Sequence, residues 1–194
     1  MHKLLAWIQV VRPVNLAILA LTQYFIDVFV LWPVFDKYGL YFTFNDFQFF
    51  LLVFSTVLIC AGGYIINDYF DVEADAINKP HKQYVGKIIG IIPALRMYWL
   101  LTGAGILLGL YLAMKADNIQ LVAIHGIAAA LLYFYSASYK RMPLIGNVVV
   151  SFLIAISVLM IGAFEPAIYR ISRAGDYYAA QLCWNIIIGY AVFA

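Results

Sequence analysis

Charge is scarce in this chain. Only 11% of its 194 residues are Asp, Glu, Lys or Arg and 65% are hydrophobic, whereas soluble domains are about a quarter charged and about half apolar. A soluble fold could not hide so much apolar surface. The sequence also lacks the ten-residue segments of alternating polarity that a membrane β-barrel needs. The formal net charge is only +2, and the basic residues are scattered between apolar runs without forming a block, so no nucleic acid or other polyanion partner is indicated. Cysteine is nearly absent. Cys60 and Cys183 each stand within an apolar run and read as small packing residues, with neither a disulfide nor a metal role. A cleavable leader is not expected either: Arg12, Pro13 and Asn15 interrupt the first apolar run and no small-residue cleavage site follows.

What is present is a series of apolar runs long enough to cross a bilayer, which takes about 20 helical residues. Six are expected, at 14–33, 47–66, 95–114, 118–136, 144–164 and 177–194. Pro13, Pro33, Pro93 and Pro143 fall at or near their ends, where proline is compatible with the start or stop of a helix. The fold class is therefore all-α, a polytopic membrane helical bundle read as one domain over residues 1–194. Lys3, Arg12, Lys79, Lys82, Lys87, Arg96, Lys140 and Arg141 fall on one side of the membrane, against Lys37, Lys115, Arg170 and Arg173 on the other. Positive loops resist translocation, so the N-terminus and the long link after Ile66 are expected in the cytoplasm, with the protein integral to the cell's plasma (inner) membrane.

That link carries the chemistry. If the second helix continues past Ile66, Asp71 lies about 60° from Asp68 around the axis and Asp75 about 20° from it, with Asn67 flanking them and Glu73 pointing away. Three carboxylates and an amide then share one face. Carboxylates so close repel one another, and at a membrane edge the arrangement is costly without a cation. Oxygen ligands of this kind suit Mg²⁺, which commonly bridges carboxylates to substrate phosphates. Asn78, Lys79, Pro80, His81 and Lys82 follow at once, then Lys87, supplying cations for phosphate oxygens.

Asn67, Asp68, Asp71 and Asp75, followed by Ile77, Asn78, Lys79, Pro80, Lys82 and Gly86, resemble the first aspartate-rich region of the UbiA superfamily of membrane prenyltransferases. Arg12, Pro13 and Asn15 resemble its N-terminal pattern, and Tyr135, Ser136, Lys140, Pro143, Gly146 and Asn147 its mid-chain region. The resemblance implies a bundle of about nine spans around a lipid-accessible cavity, of which this chain would hold six. Two aspartate-rich motifs would face each other at the cytoplasmic end and hold a prenyl diphosphate through Mg²⁺. By that likeness Asn67, Asp68, Asp71 and Asp75 hold the metal, Lys79, Lys82 and Lys140 contact diphosphate, and Asp71, Asp75 and Lys140 promote its departure. The acceptor would lie near Arg12, Asn15, Tyr135 and Lys140.

The implied function is an enzyme that transfers a prenyl group to a lipophilic acceptor in the bilayer. The residues around Asn78 lean toward the branch that alkylates geranylgeranylglycerol phosphate. The alternatives are an aromatic acceptor, as in quinone or chlorophyll synthesis, or a non-catalytic membrane protein or transporter; transporter acids, however, usually lie near the bilayer midplane. One departure matters. After Asp75 the remaining acids are Asp117, Glu165 and Asp176, and none forms a second Asp-x-x-x-Asp. The expectation is a domain incomplete at its C-terminus, with half of the metal site and no transfer activity by itself.

Overall fold

The computed structural model describes residues 3–81, 83–174 and 177–193. Among them the chain is almost entirely helical, and five helices are long and apolar enough to span a bilayer. The first span, Pro13–Lys37, follows a short helix, α1 (Lys3–Val11), that the apolar periodicity did not mark. It is built from α2 (Pro13–Ile26), a π-helical turn at Asp27–Leu31 and α3 (Trp32–Lys37). Pro33 was expected near the end of this span, yet the helix continues through it. A proline has no N–H to give and its ring crowds the carbonyl four residues back, so the ladder widens just upstream and does not stop.

The central element is α4 (Asp46–Phe70). A reciprocal capping box starts it: Gln48 N–H donates to Asn45 Oδ1 at 2.8 Å and Asn45 N–H to Gln48 Oε1 at 3.0 Å. Over half of its apolar window, 56%, is enclosed by neighbours, against 22–33% for the other spans, so the others pack around it. After one non-helical residue, Asp71, the short α5 (Val72–Asn78) continues the chain. The next span, α6 (Ile91–Lys115), lies against α4. A Cβ on Gly105 would come within 2.9 Å of the Ser55 carbonyl oxygen, so only glycine permits this backbone approach. Then come α7 (Val122–Ala137), a 3-10 turn at Tyr139–Arg141, α8 (Pro143–Ala163), α9 (Pro166–Ala174) and α10 (Tyr177–Phe193).

The sixth expected span corresponds to α10. It has 17 described residues, about 25 Å at 1.5 Å each, at the lower edge of the range for a spanning helix. Five spans, not six, therefore meet the length criterion among the described residues.

Polar side chains buried among the spans set their relative positions. Gln23, only 1% exposed, donates to the Ser157 carbonyl at 2.8 Å and accepts from Thr56 Oγ1 at 2.8 Å. It thereby joins α2, α4 and α8. Ser55 gives its hydroxyl proton to the Leu52 carbonyl and lies 2.8 Å from His125 Nε2, so that nitrogen carries a proton and donates across from α7. At the opposite end from the acidic link, buried Glu165 accepts from Thr43, Phe44 and Ala167 N–H at 2.8, 3.3 and 2.9 Å, fastening the α3–α4 loop to the α8–α9 turn.

Candidate functional site

The α4 face made by Thr56, Ile59, Cys60, Gly63, Tyr64 and Asn67 recurs every three or four residues and lines one wall of a cavity of about 730 Å³. Its other walls come from α2, α7 and α8. From Thr56 to Asn67 the helix rises about 16 Å, which sets the depth. The lining is more apolar than polar. The charged and amide groups gather at the mouth, where Arg12, Asn15, Tyr64, Asn67, Tyr135 and Ser136 converge, while Thr22, Thr56, His125 and Ser157 line the remainder among aliphatic side chains.

Two ion pairs organise that mouth. Arg12 Nη2 lies 2.9 Å from Asp68 Oδ1, and its guanidinium stands 4.7 Å from the centre of the Tyr64 ring. Lys140 Nζ lies 2.7 Å from Asp71 Oδ1 and donates to Asn67 Oδ1 at 3.2 Å, while Asn67 Nδ2 donates to Asp71 Oδ2 at 3.2 Å. Lys140 is only 14% exposed and Asp71 25%. At that burial an ion pair is screened far less than one on a wet surface.

The local backbone explains how these groups meet. Arg12 has φ 52° and ψ 64°, a left-handed conformation that side chains other than glycine adopt at a cost. That turn swings the chain from α1 into α2 and carries the guanidinium over the end of α4. Asp71 closes α4 with φ −92° and ψ 1°. The helical hydrogen bonds nonetheless continue, from Asp71 N–H to the Asn67 carbonyl at 3.1 Å and from Asp75 N–H to that of Asp71 at 2.7 Å. Asp75 therefore follows one turn beyond Asp71, half-buried, while Glu73 is exposed. Lys140 sits in the 3-10 turn between α7 and α8.

The carboxylates do not gather around one point. Asp68 turns toward Arg12 and Asp71 toward Lys140, and among the described residues no three His, Cys, Asp or Glu side chains form a closed metal-ligand group. The helical hydrogen bonds run on through Asp71, so the acids keep their helical spacing, and it is the two cations that draw Asp68 and Asp71 toward different partners. The donor chemistry still suits a hard divalent cation: Asn67 and Asp71 offer adjacent oxygens, with Asp68 and Asp75 within one turn. Lys79 is exposed at the end of α5. Lys82 lies outside the described residues. Lys87 donates to the Pro80 carbonyl at 3.0 Å, folding the link back on itself.

Residues 16–193 match the UbiA prenyltransferase family. The chain belongs to that family. Among curated relatives, it is 39% identical over 113 residues to a digeranylgeranylglyceryl phosphate synthase of Ignicoccus hospitalis, covering 58% of this chain and 35% of that protein. A digeranylgeranylglyceryl phosphate synthase of Thermococcus gammatolerans is 30% identical over 185 residues, covering 95% of this chain and 60% of the relative. A solved structure concerning digeranylgeranylglyceryl phosphate synthase in membranes superposes with a TM-score of 0.67 at 26% identity, covering 88% of this chain and 57% of the other. The chain thus spans roughly a third to three fifths of the length of these relatives.

For this UbiA chain, sequence reasoning overlooked Tyr64, which supports the Arg12 guanidinium and lines the cavity. Its position four residues before Asp68 places it one turn down the same face, so the spacing carried the signal. Gln23 and Thr56 were also overlooked; only tertiary contact reveals them.

Proposed function

We propose that this protein transfers a prenyl group from an isoprenoid diphosphate to a lipophilic acceptor within the membrane, with geranylgeranylglycerol phosphate as the acceptor. The observation that carries the reading is the junction of a mainly apolar cavity, lined at one end by Arg12 and Asn67, with the charged groups Asp68, Asp71 and Lys140 that bond to those two residues. A molecule with a hydrocarbon tail and a diphosphate head fits that junction. The names carried by the relatives supply the acceptor.

Counting each carbon at about the volume of one water, ~30 Å³, a C20 tail occupies ~600 Å³, which the 730 Å³ cavity accommodates. Its allylic end would then lie at the mouth. There Lys140 and Arg12 stabilise charge that builds on the departing pyrophosphate, and aliphatic walls keep water from the allylic cation. Mg²⁺ held through Asn67 and Asp71, with Asp68 and Asp75 beside them, would neutralise the diphosphate. The carbon–oxygen bond to pyrophosphate breaks first, the acceptor hydroxyl oxygen then bonds to the allylic cation, and the hydroxyl proton passes to the departing pyrophosphate. Asn15 and Tyr135 at the mouth are suited to orienting the acceptor head group. The mouth faces the cytoplasm in this reading, where soluble diphosphates and Mg²⁺ are available.

The test is binding of labelled geranylgeranyl diphosphate to the purified protein in lipid nanodiscs, with and without Mg²⁺. Binding should require Mg²⁺ and fall at least tenfold in Asp71→Ala and Asp75→Ala, with helical content unchanged by circular dichroism. Binding that ignores both substitutions would sink the site. Adding geranylgeranylglycerol phosphate or an aromatic acceptor to the same nanodiscs tests the second substrate: label transferred to the aromatic compound in preference would reassign the acceptor.

A further inference from the structure

Lys140 and Arg12 lie on the same carboxylates that the proposed function gives to a divalent cation. Lys140 Nζ is 2.7 Å from Asp71 Oδ1 and 3.2 Å from Asn67 Oδ1, while Arg12 Nη2 is 2.9 Å from Asp68 Oδ1. A cation on the Asn67 and Asp71 oxygens at 2.0–2.1 Å, the usual Mg²⁺ distance, would lie within a few ångströms of the Lys140 ammonium, and one on Asp68 equally close to the Arg12 guanidinium. Two of the site's three acids, Asp68 and Asp71, are already paired with cations, which leaves a net charge of about −1 with Asp75. A divalent cation arriving alone therefore gains little charge neutralisation and meets repulsion at short range.

Diphosphate changes that balance. It brings several negative charges and many acceptor oxygens, and both Lys140 and Arg12 have flexible stems that let their heads turn toward it. Resting on the proposed function, we propose that Arg12 and Lys140 are displaceable counterions: they neutralise Asp68 and Asp71 until diphosphate arrives, then pass to its oxygens as a divalent cation takes over the carboxylates. Cation and diphosphate consequently bind together, each strengthening the other. The exchange makes the site refuse free Mg²⁺, and it couples full assembly of the charged mouth to the arrival of substrate. Lys140 is the principal switch. It touches both Asn67 and Asp71, whereas Arg12, 43% exposed, touches one carboxylate and rests on Tyr64.

The coupling is thermodynamic, so it can be read without turnover and must be reciprocal. Mn²⁺ serves as a paramagnetic probe, with inorganic pyrophosphate as the head group. Protein-bound Mn²⁺ is measured by electron paramagnetic resonance on the purified protein at matched free Mn²⁺, with and without pyrophosphate. In the wild type, pyrophosphate should raise Mn²⁺ affinity at least tenfold. In Lys140→Met, Mn²⁺ alone should bind at least threefold more tightly than to wild type, and the gain from pyrophosphate should shrink below threefold. Lys140→Arg, which retains the charge, should restore refusal of free Mn²⁺. Arg12→Met gives a second variant should Lys140→Met fail to fold, with the same direction and smaller size. Equal Mn²⁺ affinity with and without pyrophosphate, or unchanged affinity in both neutral variants, overturns the exchange and leaves the diphosphate site standing. Absence of Mn²⁺ binding even with pyrophosphate overturns the proposed function itself.

Discussion

Gly146 stands where α8 begins against the turn that carries Lys140. A Cβ there would lie 3.0 Å from the Tyr139 carbonyl oxygen and 3.5 Å from Lys140 Cα. Backbone must give way, and with it the ammonium that bridges Asn67 and Asp71. Gly146→Ala should therefore weaken Mg²⁺-dependent diphosphate binding by about tenfold, since small misplacements of a binding group are costly. Equilibrium binding in nanodiscs measures this, and unchanged affinity would show that the turn has slack. Gly146 was part of the mid-chain pattern in the sequence, but its physical task was not readable there. The same holds for the ion pairs. Arg12 and Asp68 are 56 positions apart and Lys140 and Asn67 are 73 apart, and no local period connects them. The acidic run itself was legible because all its members share two turns of one chain segment.

At the scale of elements, apolar runs located every described span to within several residues, since the bilayer imposes length and composition directly. They missed what interrupts and joins those spans. The π turn before Pro33 and the distortion at Asp71 depend on how a helix resolves one awkward residue. Gln23 and Glu165 depend on partners from other elements. Replacing Gln23 by Leu removes two bonds that tie α2 to α4 and α8 and leaves the Ser157 carbonyl without this donor. The expected loss is about 1–3 kcal/mol, read as a lower thermal midpoint in detergent. Glu165→Ala strips the acceptor from three backbone N–H groups at once, so its cost should be larger, about 3 kcal/mol or more. A midpoint higher in Glu165→Ala than in Gln23→Leu would contradict that ordering.

The whole molecule has an acidic, lysine-bearing end and an opposite end carrying Lys37, Lys115 and the Glu165 loop anchor. Orientation can be tested with Cys60 and Cys183 replaced by Ser and one new cysteine introduced at a time. Ile77 is 82% exposed beside the acidic end and Tyr41 is 88% exposed at the other. A membrane-impermeant maleimide applied to intact cells should label Tyr41→Cys and spare Ile77→Cys until the membrane is permeabilised. The reverse pattern would place the charged mouth outside.

The two ion pairs also differ in when they can form. As the ribosome releases the acidic segment, Asp68 finds Arg12 already made, 56 positions upstream. Asn67 and its neighbour Asp71 have to wait for Lys140, which emerges 73 residues after Asn67. At about 5–20 residues per second that delay is about 4–15 s, during which Asp68 has its partner and Asp71 does not. The Arg12–Asp68 pair can therefore form early, and the Lys140–Asp71 pair only once the α7–α8 turn has left the translation machinery.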